Sequence, residues 1–81
     1  MVPEQSRAGR ALIGWSQNDL AARAKVAQKT IADFESDNTT PRADTLAKLR
    51  AALEKAGVQL IDPNGGGPGV RLKLRADQKS R

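Results

Sequence analysis

The sequence predicts an all-α domain of four short helices, extended at its end by a β-hairpin or a single strand, and three observations predict it. Apolar residues recur at spacings of three and four through residues 3–56, the period that lines one side of a helix. The pattern breaks at Gly14, at residues 24–27, along the polar stretch from Ser36 to Thr40 and at Gly57, where helices stop or chains turn. Beyond Gly57 the period drops to two, since Val70-Arg71-Leu72-Lys73-Leu74-Arg75 alternates apolar and basic residues as a half-buried strand does.

The first helix is expected from Pro3, tolerated in a first turn, to Ile13, with Ala8, Ala11, Leu12 and Trp15 on its inner side. Gly14 ends it. Ser16 then caps the second helix: its hydroxyl can take a free first-turn amide while Asp19, three residues on, reaches back. Leu20, Ala21 and Ala24 form the inner face there, and Ala24 to Ala27 is the turn. The third helix opens at Gln28 and buries Ile31 and Phe34, leaving Gln28, Lys29, Ala32 and Asp33 toward the other side. After the polar loop and Pro41, a fourth helix spans Arg42 to Ala56. Leu46, Leu49 and Leu53 form its core stripe, Asp44 suits its positive start and Lys55 its negative end.

Residues 16–35 therefore hold two short helices joined by about three residues, one face packing and the other open. Ser16-Gln17, Leu20-Ala21, Val26, Gln28, Ile31, Glu35, Pro41 and Thr45-Leu46 resemble the helix-turn-helix of the Cro and phage-repressor class, the XRE family, over residues 7–57. The run Gly-Gly-Gly-Pro-Gly-Val-Arg-Leu at 65–72 is similar to the end of small single-domain bacterial regulators of this class. Two positions depart from the family pattern. Lys25 stands where the family has glycine in a left-handed turn, and Ala27 replaces the usual Ser or Thr cap, each at about 1 kcal/mol.

The resemblance implies that the third helix reads double-stranded DNA. Major-groove reading requires paired donors and acceptors at the start of the inserted helix. Gln28 can bond an adenine edge, Lys29 a guanine, and Thr30 a thymine methyl or a phosphate. Asp33, repelled by phosphate, is expected to pair with Lys29 four residues earlier, with base reading second. In the family the glutamine at Gln17 contacts the DNA backbone and braces the first recognition-helix glutamine, here Gln28. Arg10, Lys25, Asn38, Thr39 and Arg42 would complete the phosphate clamp.

Composition narrows the alternatives. The chain has 81 residues and a net charge of +5, compatible with a polyanionic partner. Residues 1–61 carry nine Lys or Arg against seven Asp or Glu, and residues 62–81 carry five against two, so the excess leans toward the end. With no cysteine, histidine or tyrosine, the usual catalytic nucleophiles, bases and metal ligands are scarce, so neither an enzyme nor a cofactor is expected. The glycine run lacks the Gly-Lys-Ser/Thr ending that grips nucleotide. No apolar run approaches a membrane span, and the start lacks a charged-then-apolar leader, so a cytoplasmic protein is expected, on the nucleoid when bound to DNA.

These readings divide the chain into a DNA-binding domain over 1–57, a β extension over 58–75 and a basic flexible tail over 76–81. A lone hairpin is marginal in water, so Val70, Leu72 and Leu74 are expected to pair with the same segment of a second subunit, ahead of a hairpin folded on its own helices. The expected function is a transcriptional regulator that binds an inverted-repeat operator as a homodimer. The alternative is an antitoxin-like module that neutralises a partner protein and regulates its own promoter.

Overall fold

The computed structural model describes residues 1–73. Its elements, in order, are α1 (Pro3–Ile13), α2 (Gln17–Ala24), α3 (Gln28–Glu35), α4 (Ala43–Lys55), β1 (Val58–Ile61) and β2 (Gly69–Leu72). The four helices lie where the sequence places them. The architecture is mostly helical rather than all-α, because β1 and β2 form an antiparallel pair that belongs to the same core.

Helix ends are set by local chemistry. Ser16 Oγ accepts from Asp19 N at 3.0 Å and Asp19 Oδ2 accepts from Ser16 N at 2.9 Å, the reciprocal cap expected of that pair. Three helices stop on a left-handed residue: Gly14 (φ 70°), Lys25 (φ 57°) and Asp37 (φ 64°). In each case the next amide returns to a carbonyl five residues back: Trp15 to Arg10, Val26 to Ala21 and Asn38 to Asp33. Ala27 starts α3 without a side-chain cap.

Leu20 and Ala24 of α2, Ile31 and Phe34 of α3, Leu49 and Leu53 of α4, and Val58 and Leu60 of β1 form one buried cluster. α1 contributes differently from expectation. Ala8, Ala11 and Leu12 are exposed, and the buried residues of α1 are Gln5, Ser6 and Gly9. A periodicity of apolar residues does not register a buried face that is polar and satisfied by hydrogen bonds. Gly9 is buried against the core, where a Cβ would be in ordinary contact with Val58 at 3.4 Å and Leu53 at 3.5 Å. Trp15 is half-buried against the core, with the Arg23 guanidinium 5.3 Å from its ring centroid.

β1 and β2 pair within the chain, Val58 opposite Leu72 and Leu60 opposite Val70. Buried Gln5 anchors the hairpin to α1: its Nε2 donates to Ile61 O at 2.9 Å and to Gly69 O at 3.0 Å, while its Oε1 accepts from Val2 N at 3.0 Å. The sequence reading ranks this hairpin behind an intersubunit sheet; here Val70 packs on the core of its own chain and Leu72 is half-buried beside Val58. Leu74, Arg75 and the tail expected over 76–81 lie outside the described residues.

Candidate nucleic-acid interface

α3 is held by its apolar side, where Ile31 and Phe34 are 0% and 3% exposed, and it turns Gln28 and Lys29 outward. Its opposite end carries a buried carboxylate. Glu35 accepts four hydrogen bonds: Ser6 Oγ (2.6 Å) and Arg10 Nε (2.9 Å) at Oε2, and Arg10 Nη2 (2.6 Å) and Gln17 Nε2 (3.1 Å) at Oε1. Those four donors fill the lone-pair directions of a carboxylate, and the two from Arg10 form a bidentate pair. Arg7 also donates to the Glu35 carbonyl oxygen, one of the orphan acceptors at the end of α3.

Burial is the largest influence on the Glu35 carboxyl and pushes its pKa up. The hydrogen bonds from Arg10, Ser6 and Gln17, with the Arg10 charge, outweigh it and hold the pKa below the ordinary 4.5. Glu35 is therefore an ionised acceptor at neutral pH, and this fixes the amide of Gln17. Because Gln17 must present Nε2 to Glu35, its Oε1 faces α3, where it accepts from Gln28 Nε2 at 2.8 Å. One N–H of Gln28 is thus engaged, and its Oε1 and second N–H remain as the acceptor and donor that match the N6–H and N7 of adenine. The bracing of Gln28 by Gln17 implied by the family resemblance is present, and it begins in α1.

The other expected residues separate into groups. Lys29 Nζ and Asp33 Oδ2 form the i,i+4 pair at 3.1 Å, with the lysine side chain 85% exposed. Thr30 is half-buried beside them. Lys25, Asn38, Thr39 and Arg42 are exposed at the turn and in the loop between α3 and α4, and Arg42 makes only a loose 3.6 Å pair with Asp44. Arg10, also expected in the phosphate clamp, has its guanidinium bonded to Glu35 and to Trp15 O at 3.1 Å, so it braces the site from inside.

Ser6 and Arg7 are the residues that motif reading missed, and Glu35 was placed by the motif without a role. Their signal is faint but present: Gln5, Gly9 and Ile13 are four apart, so Ser6 and Arg10, also four apart, fall on the adjoining stripe of the same helix. Among the described residues, no buried side-chain polar atom lacks a hydrogen-bond partner.

A family model described as helix-turn-helix matches residues 7–59, more than half of the chain. Among curated proteins, the chain is 33% identical over 67 residues to Multiprotein-bridging factor 1 of Schizosaccharomyces pombe. The match covers 83% of this chain and 43% of that protein, so the chain spans less than half the length of the relative. That relative is from a yeast, and the likeness therefore extends beyond the bacterial regulators suggested by the end of the chain. No helix among the described residues is long and apolar enough to cross a membrane. The chain belongs to the Cro/repressor-type helix-turn-helix family of DNA-binding domains.

Proposed function

We propose that the protein is a sequence-specific double-stranded DNA-binding transcriptional regulator that acts as a homodimer on an inverted-repeat operator. α3 of each copy inserts into a major groove, and the two insertion points lie about 34 Å, or ~10 base pairs, apart. The observation that carries this reading is the Gln28–Gln17–Glu35 chain of hydrogen bonds, which holds a base-matching amide at the start of an exposed helix. Gln28, Lys29 and Thr30 read bases, and the Lys29–Asp33 pair holds the lysine over the groove. Gln17, Lys25, Asn38, Thr39 and Arg42 contact the sugar-phosphate backbone around it.

Selection of bound sequences from random duplex DNA tests the reading. It should return an inverted repeat with half-sites one helical turn apart and two protein chains per site. A single unrepeated half-site bound by one chain would contradict the dimer.

A second reading is favoured by the name of the yeast relative, Multiprotein-bridging factor 1. On it, the domain joins a DNA-bound complex to another protein, and the surface away from α3 takes part in function.

A further inference from the structure

We propose that the outer edge of β2 is a docking site for an extended acidic segment of another protein, one that alternates apolar and carboxylate residues and adds as a third strand. The register defines the edge. Lys73 N donates to Gly57 O at 2.7 Å, so Gly57–Lys73, Gln59–Arg71 and Ile61–Gly69 exchange bonds across the hairpin. Val58 and Leu60 then turn their N–H and C=O groups out along β1, and Val70 and Leu72 turn theirs out along β2.

The two edges differ. A cleft between α4 and β1 is lined by Arg50, Glu54, Val58, Gln59 and Leu60, and Lys73, beyond the end of β2, also lines it. Arg50 spans it by bonding Glu54 Oε2 at 3.0 Å and Asp62 Oδ1 at 3.3 Å, a charged strap of the kind that keeps strands off an edge. No such strap crosses β2 among the described residues. Among the described residues, no hydrogen bond reaches the outward N–H or C=O of Val70 or Leu72.

Side-chain chemistry selects the occupant. Arg71 and Lys73 are exposed on the side of the sheet away from the core, and Val70 and Leu72 are half-buried on the other. Arg71 Nε donates to Gln59 Oε1 at 2.8 Å, which holds the guanidinium over the sheet with its two terminal nitrogens available. If a second copy paired on this edge, antiparallel strands would bring Arg71 opposite its own equivalent or opposite Lys73, and like charges facing across strands destabilise a pair. Shifting the register to avoid this brings in Pro68, which has no N–H to donate. Carboxylates at alternate positions of a foreign strand meet both cations, while its apolar residues extend the half-buried row of Val70 and Leu72. The hairpin packs on α1 and α4 whereas α3 packs on α1 and α2, so a strand added here leaves Gln28 and Lys29 open.

The test uses the full chain and three synthetic heptapeptides, alternating Glu-Val, Lys-Val and Glu-Pro, titrated in an NMR experiment that follows backbone amides. The Glu-Val peptide should shift the amides of Val70 and Leu72 and slow their exchange. The Glu-Pro peptide, equal in charge but unable to form a strand ladder, should do neither. The double variant Arg71→Glu/Lys73→Glu should weaken Glu-Val binding by about tenfold or more, because attraction becomes repulsion at two cross-strand positions, and should take up the Lys-Val peptide instead. Val70→Pro, which removes an outward N–H and no hairpin bond, should abolish binding of both. No binding by the wild-type chain would overturn the proposal, as would binding that survives charge reversal or shifts confined to α3. Protection of Val70 and Leu72 that rises with protein concentration alone would assign the edge to a second copy and overturn it equally.

Discussion

Gln28 Nε2 donates to Gln17 Oε1 over 2.8 Å, and the direction of that bond is dictated by a carboxylate neither residue carries. Glu35 accepts from Gln17 Nε2, so Gln17 can offer only its oxygen to α3. A buried ion pair between α1 and α3 is thereby converted into the orientation of a side chain at the protein surface.

Gln17→Ala should therefore act on recognition more than on folding. The change removes the exposed bond to Gln28 and one of the four donors to Glu35, which keeps the three from Ser6 and Arg10. Losing the Gln28 bond and the order it imposes is worth about 1 kcal/mol, so specific affinity should fall roughly five- to tenfold. Competition binding against matched and mismatched duplexes checks it, with the discrimination at the Gln28 base position falling most. Gln17→Glu should be worse, because it sets a second carboxylate beside Glu35.

Glu35→Ala should cost about 3 kcal/mol or more, since it strands the Arg10 guanidinium, whose side chain is only 17% exposed. The pH dependence has a defined sign. The folded pKa of Glu35 lies below its ordinary 4.5, so its contribution to stability is present above that value and is lost as pH falls through the folded pKa. Denaturant melts from pH 7 to pH 3 should show the wild type losing stability below about pH 4.5, with a shallower loss in Glu35→Gln.

Lys25 sits at φ 57°, ψ 46°, a left-handed conformation that glycine adopts without steric cost. Lys25→Gly should stabilise the fold by up to roughly 1 kcal/mol. Ala27→Ser, which supplies the missing cap of α3, should add about 1 kcal/mol. Chemical denaturation reads both, and a loss of stability in either would mean that the turn changes shape on substitution.

Arg42 and Arg10 should part company in salt titrations. Arg42→Ala is expected to reduce the slope of log affinity against log salt by about 0.9 and to leave stability nearly unchanged, as for a phosphate contact. Arg10→Ala should instead lower stability, because it breaks the pair with Glu35, and change the slope little.

Much of the fold was legible in the sequence, and the exceptions share one cause. Helix ends marked by Gly14, Ser16 and Pro41 could be read because each acts through its own backbone or that of near neighbours. The Lys29–Asp33 pair followed from helical spacing for the same reason. Leu12 was misplaced, and the pairing of Arg10 with Glu35 was not legible, because their surroundings depend on partners distant in sequence. Nothing local shows that α1 buries Gln5 and Ser6, or that Gln5 holds Ile61 and Gly69. The strands were visible in the alternation from Val70 onward. Their pairing within one chain was not, because the same alternation suits either partner and the bonds from Gln5 that tie the hairpin to α1 come from residues more than fifty positions away.

The central claim is that Gln28 and Lys29, held at the start of α3, read base identity. Competition binding by the double variant Gln28→Ala/Lys29→Ala, measured against the selected operator and single-base mismatches, tests it most directly. Specific affinity should fall by ~1 to 3 kcal/mol per lost contact, with the mismatch penalty erased at the contacted positions and non-specific binding changed much less. A double variant that keeps the sequence preference of the wild type would contradict the account and remove α3 from the groove.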